Sequence, residues 1–590
     1  MKKLLSLVLV LVMMLGSVSV LSSCGAPEDE GAQISVYLGN GVFDLDPSDY
    51  YVSDNAAQLM SLMYEPLFRL DEDGDLECAA ADDYEVDEEK RLITVTLRET
   101  YWSDGNRVKA EDFVYAWRDV ILSADNANPA AALLYDIENA LEVKNGAPIN
   151  DLGVVPRVYD LEITYREGAD YEQLLRNLAS IATAPVRQDV VNLAQGHWSK
   201  SSETIVTNGP FMVKSLSYAT EEDSTAGALV LERNIGFHQP KDTEDYDDEV
   251  IPYRITTQFT VGDKTVDVDY DTLVNNTVFY LGDASLADRQ AHKGEALVGD
   301  LASTYTYVFN TNNPLFQNKD VRYALSIALD RAKMIEAITF GKPADGFIPD
   351  ISGGSEDELI SVKANKAKAE QYLAAADQSV VNANKKFTLT IDSDEQSKKI
   401  AEIVKASWES LGFTVTVKVA ETVENEVADG NISDSGIQYL IKNATYGNTD
   451  FDVIAVDWQT FCLDAAPALA SLTSNLNGMG KEYKSDVSVT DPSYSTARKN
   501  ISGWSDATYD GLVAAALACE NKKERAEKLA EAEAYLVEKM PVCPLVFNQN
   551  FVFTGSKVSK VKFNGLGNLN LTNTKLSGYT KYYKPEESEE

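Results

Sequence analysis

Histidine is almost missing from this chain: His197, His238 and His292 are the only three in 590 residues, and they lie far apart in sequence. That scarcity excludes a histidine-rich metal centre and a histidine-based nucleophilic triad. Cysteine is sparse as well. Cys24 sits at the end of an apolar N-terminus, and Cys78, Cys462, Cys519 and Cys543 are too scattered to form a disulfide framework. Positive charge is the third shortage, with 52 Lys and Arg against 93 Asp and Glu and a net charge of −41. Such a surface repels phosphate backbones and anionic head groups, so nucleic acid is not an expected partner. Its plainest consequence is solubility, and it mildly favours cationic ligands. Motifs of catalysis are missing too: no Gly-x-Ser-x-Gly elbow, phosphate-binding loop or His-Glu-x-x-His occurs. Carboxylate pairs abound, but so acidic a chain produces them by chance. The sequence reads as a non-enzyme that needs no cofactor and no metal.

What is present begins at the N-terminus. Lys2 and Lys3 precede an apolar run from Leu4 to Leu15, and Leu21-Ser22-Ser23-Cys24 follows. The run is shorter than the roughly 20 residues a membrane-spanning helix needs. A charged n-region, an apolar stretch and small residues make a signal peptide over residues 1–23. A cysteine at the cleavage point marks a bacterial lipoprotein signal, in which Cys24 becomes the lipidated first residue. Residues 24–33 then read as a polar linker between the lipid and the body. The expected location is outside the cytoplasm, with the cell membrane met only through the lipid on Cys24. Cleavage removes two lysines and no acid, so the mature charge is −43.

The body of roughly 560 residues is too large for one core and sufficient for two or three domains. Ile34–Leu38 and Leu92–Leu97 alternate like strands, and residues 112–120 place Phe113, Trp117 and Val120 on one helical face. Phe387–Ile391 reads as a strand, Gln396–Leu411 as a helix closed by Gly412, and Phe413–Val419 as a second strand. Such strand–helix–strand units build parallel sheet. Phe451–Trp458 is another buried strand of the same kind, Lys522–Lys539 a long helix stopped at Pro541, and Pro544–Phe547 with Asn550–Phe553 a strand-like return. The fold class is α/β with mixed sheets. The acidic cluster Asp71–Asp75 fits a turn with Gly74 at positive φ better than a calcium loop, because its glycine is fourth rather than sixth.

Four segments carry a resemblance. They are Tyr64-Glu-Pro-Leu-Phe68 leading to Thr94–Arg98; Trp102-Ser-Asp-Gly105 with Val108–Phe113 and Ala116-Trp117; Asn208-Gly-Pro-Phe211; and Tyr307–Phe316 running into Val321–Arg331. Read physically, they are turns, caps and a helix opening at Val321 with Val321, Ala324, Leu325 and Ala328 inward. Together, in this order from about Ile34 to about Phe553, they closely resemble the extracellular solute-binding proteins, family 5, that serve peptide-type ABC importers.

The resemblance implies a periplasmic-binding-protein-like two-lobed fold of type II, the large class with an inserted accessory domain. Lobe I would combine 34–68, 204–303 and 544–590, the accessory domain would be 69–203, and lobe II 304–543. It implies a monomeric carrier that captures oligopeptides between hinged lobes and delivers them to permease subunits in the membrane. Dipeptides, nickel chelates and oligosaccharides are alternative solutes on the same scaffold, and a peptide-sensing receptor without transport is an alternative role. The ligand would lie against Tyr51 and Val52 after Leu45-Asp-Pro47, against Tyr305 and Tyr307, near Asn548, and against Trp458. In the family an aspartate three residues after that tryptophan pairs with a peptide's ammonium; here the position is Phe461, and Asp464 is the candidate substitute.

Overall fold

The computed structural model describes residues 32–40, 44–48, 54–194, 198–217, 227–238, 250–260, 270, 279–281, 284–420, 423–427, 430–434, 436–484, 486–488, 490–491 and 494–579. Cys24, Tyr51 and Val52 lie outside the described residues. Ten strands make one mixed sheet through the molecule: β1 (Ala32–Asn40), β2 (Phe211–Ser217), β3 (Gly227–Arg233), β4 (Pro252–Thr260), β5 (Phe279–Leu281), β6 (Leu297–Phe309), β7 (Lys386–Ile391), β8 (Thr414–Val419), β9 (Val453–Gln459) and β10 (Val542–Thr554). Their order is β8-β7-β9-β6-β10-β5-β1-β4-β3-β2, and a two-residue strand, Lys342–Pro343, pairs with β10 off that path. The strand–helix–strand unit read from the sequence is there. β7 and β8 run parallel, with the helix Glu395–Glu409 between them and Gly412 at φ 95° before β8.

β6 and β10 are the longest strands of the sheet, 13 residues each. Their first pairing runs from Leu297↔Val552 to Asp300↔Gln549, and the second from Thr304↔Phe547 onward. Between them Leu301, Ala302 and Ser303 face Asn548 alone, so β6 bulges where one half of the sheet gives way to the other. The bulge is held by partners. Thr460 donates its amide and its hydroxyl to the Ala302 carbonyl, both at 2.9 Å. Asn548 donates to Ser303 Oγ at 2.9 Å and to Asp457 at 2.8 Å.

Side-chain alternation separates two cores across the second half of the sheet. Tyr305, Tyr307 and Phe309 of β6 join Val453 and Ala455 of β9 in one core, beneath Trp408 of the helix 395–409. Ile454, Val456 and Trp458 of β9 face the other way, into the larger core. A separate antiparallel sheet, made by residues 81–87, 92–97, 160–164 and 154–157, packs with helical turns in residues 110–194. The helix expected over 112–120 is an α-helix, Ala110–Val114, that widens into π-helical turns over Tyr115–Ile121. Trp117 is fully buried there and donates to the Thr183 carbonyl at 2.8 Å.

The single helix expected to open at Val321 is two helices, Lys319–Ile327 and Arg331–Ile338. The break has a cause: Asp330 caps the second helix by accepting from the Lys333 amide, and buried Arg331 turns inward to the Pro544 carbonyl. The Asp71 carboxylate accepts the Asp73 and Asp75 amides, with Gly74 at φ 81°, which makes the acidic cluster a hairpin turn. Gly209 is required by a close approach: a Cβ there would sit 2.5 Å from the Met63 backbone. The four described cysteines are free. No described helix is long and apolar enough to cross a membrane.

Candidate functional site

β9 ends at the bulge in β6, and its last inward residues open a slot. Val456, Trp458 and Gln459 form one wall, and Phe461 turns across the end of the strand. Ile441 and Thr445, from the helix Gly436–Thr445, form a second wall. Ser471, Met479 and Ile501 form the floor, and Pro129, from the part that carries the separate sheet, closes the far side. The slot leaves about 30 Å³ open to water, room for about two molecules. No side chain lining it among the described residues is charged.

A buried carboxylate sets the Trp458 wall from behind. The Phe347 ring meets the Trp458 ring edge-on at 5.5 Å. Phe347 is fixed because Glu533 accepts the amides of Phe347 and Ile348 at 2.8 Å and of Ser355 at 2.9 Å. Burial pushes the Glu533 carboxyl up from its ordinary value in spite of those three amides. Ser352, in the same loop, shares a 2.6 Å hydrogen bond with Thr460, so this loop also braces the bulge.

The far wall is docked backbone to backbone. Asn128 donates to the Gly478 carbonyl at 2.8 Å, and Lys481 to the Ala124 carbonyl at 2.7 Å. Gly478 and Gly480 have positive φ, and a Cβ on either would stand 2.2 Å from a carbonyl of the 124–128 loop. That loop is shaped by Lys144, whose buried ammonium donates to the carbonyls of Ile121, Ser123 and Asn126 at 2.7, 3.1 and 2.7 Å. With no carboxylate among those partners, burial brings its pKa down to about 7, and nearby Arg498 acts in the same direction. Asp44, beyond β1, reaches the helix 436–445 through Lys442 at 3.5 Å and meets Lys200 at 3.6 Å. The 124–128 loop and Asp44 thus reach the segments 478–481 and 436–445 that flank the slot.

Of the sequence-derived site residues, the structure brings Trp458 and Phe461 together at the slot. Tyr305 and Tyr307 are on the opposite face of the sheet: Thr304 pairs with Trp458, and one residue along a strand reverses the side chain. Their rings pack on each other at 5.8 Å, and Tyr307 packs on Trp408. Asn548 is at the bulge, bound to Ser303 and Asp457. Asp464 is committed elsewhere. Its carboxylate forms a two-pronged ion pair with Arg525 and accepts the Ala466 amide at 2.7 Å. Burial would lower the Arg525 pKa, but Asp464 and Asp136 outweigh it and hold it above its ordinary value. Sequence reasoning missed Ile441, Met479, Ile501 and Pro129, for which no local pattern exists. Val456 was within reach, because it lies two residues before Trp458 on a period-two strand.

Known proteins carry the same architecture. The dipeptide-binding protein of Bacillus subtilis is 25% identical over 525 residues, covering 87% of this chain and 86% of its own. The pheromone receptor PrgZ superposes with a TM-score of 0.74 at 23% identity, over 93% of this chain and all of the other. The Escherichia coli murein tripeptide-binding protein gives 0.70 at 22% identity over 95% and 99% of the two chains. The family model for bacterial extracellular solute-binding proteins, family 5, matches residues 75–480. More than half of the sequence lies inside that match, and the chain belongs to this family.

Proposed function

We propose that this protein captures oligopeptides between its two lobes and delivers them to the permease of an ABC importer. The observation that carries the reading is the slot under Trp458. It sits beside the bulge shared by β6 and β10, with one wall on each side of the closure. Closure over a solute that touches both sides shifts the population toward the closed form. The names of the relatives support peptides over other solutes.

On this reading the protein is a binding protein and not an enzyme. It acts as a monomer outside the cytoplasm, held to the membrane by a lipid on Cys24 after removal of residues 1–23. The lobes divide as 34–68 with 204–303 and 544–590, and 304–543, with 69–203 as the accessory domain. Tethering raises the effective concentration of loaded protein at the permease. Native mass spectrometry of the purified protein, before and after mild denaturation, tests the ligand class. A ladder of released peptide masses supports the reading, and a single non-peptide mass overturns it. Lipid labelling of Cys24→Ser tests the anchor: a variant still labelled removes the lipoprotein assignment.

A further inference from the structure

Phe461 is one of the few non-glycine residues here with positive φ, at 68°, and it is almost fully buried at the slot. An L-residue in this region is strained, more so when bulky, whereas aspartate and asparagine tolerate it. Strain kept at a cleft wall points to a role for the side chain that causes it. The surroundings say what role. None of the described side chains that line the slot is charged. The carboxylate nearest in sequence, Asp464, is spent on Arg525 and the Ala466 amide. An ammonium or guanidinium placed beside Trp458 would lose its water and find no counter-charge among these residues, which is costly.

We infer that Phe461 is a specificity-determining residue that makes the slot select an uncharged, apolar side chain of the ligand and exclude a cationic one. The apolar preference follows from the lining, where Val456, Trp458, Phe461, Met479 and Ile501 offer a bound side chain no polar partner of their own. The selection is local. The negative surface still attracts cationic peptides to the protein, so a bound peptide carries its positive charges elsewhere along its length. This inference rests on the proposed peptide function.

The test uses pentaalanine peptides in which one position at a time is valine or lysine, titrated into the intact protein and into Phe461→Asp. That substitution suits the backbone at φ 68° but buries a carboxylate, so its melting temperature is measured beside the titrations. The expected result is one ligand position at which valine binds at least tenfold more tightly than lysine. Phe461→Asp should cut that ratio at least tenfold at the same position and leave the others alone. Should Phe461→Asp not fold, Phe461→Leu and Phe461→Asn make the comparison, with the valine preference kept in the first and reduced in the second. The inference is overturned if no position prefers valine, or if the preference ignores residue 461. Absence of binding by every peptide overturns the peptide function itself, and this inference with it.

Discussion

Asp44 and Lys442 are 398 residues apart in sequence and meet at 3.5 Å, joining the segment after β1 to the helix Gly436–Thr445. Burial works against the Asp44 charge, but Lys442, Lys200 and the Ser199 hydroxyl outweigh it and hold its pKa below the usual carboxylate value. The stabilisation is therefore present above the ordinary carboxylate pKa and is lost as pH falls through the lower value of the closed form. Lys442 is 43% exposed, so the pair contributes only about 0.2–1 kcal/mol. Lys442→Met should weaken ligand binding by no more than about fivefold and reduce its salt dependence. Titrations at low and high salt check both; unchanged salt dependence would remove this pair from closure.

Asp464→Asn is expected to act on stability before it acts on binding. It leaves Arg525 buried without its counter-charge, at a cost of about 3–5 kcal/mol. Replacing both residues by apolar ones of similar size should recover much of that loss. Thermal unfolding of the single and double variants measures it. If Asp464→Asn instead melts like the parent but binds N-acetylated and free peptides differently, Asp464 belongs to the ligand site.

Trp458→Ala removes one wall of the slot and the ring against which Phe347 packs. Affinity should fall roughly tenfold or more, while Trp458→Phe, which keeps an aromatic wall, loses less. Calorimetric titration with a bound peptide decides it, and equal affinity in all three proteins takes Trp458 out of the site.

Lys144 makes stability depend on pH in an unusual direction. Its pKa is about 7 when folded and about 10.5 when free, so between these values the unfolded chain holds the extra proton. Stability from this group therefore rises as pH increases from about 7 toward 10. Lys144→Met should abolish that rise and lower stability most at high pH, where no charge is buried in the parent and three carbonyls lose their donor. Denaturant unfolding between pH 6 and pH 10 gives the slope directly.

Much of the frame was legible because its patterns are local. The strands 386–391 and 414–419, the helix between them and the helix Lys522–Lys539 announce themselves by period and by their stops. The helix break before Arg331 was overlooked, although Asp330 is a good cap, because the apolar spacing runs through it. The direction of Tyr305 and Tyr307 was not readable at all. It depends on the pairing of Thr304 with Trp458, a register set 154 residues away. The slot was half legible: its β9 wall lies within a few residues of Trp458, while Pro129 and Ile501 reach it only through tertiary packing.

β10 has a consequence for how the molecule is made. It pairs with β6 in one half of the sheet and with β5 in the other, and β5 in turn is the neighbour of β1. A chain emerging N-terminus first cannot complete this sheet on either side until residue 554 is out, since the strand that joins the two sides is made last. The first strand has both its neighbours, β4 and β5, once residue 281 is out, but its side of the sheet meets the other only through β10. Assembly is thus postponed until synthesis is nearly over, and a truncated product lacking β10 leaves β5 and β6 with open edges and is prone to aggregate.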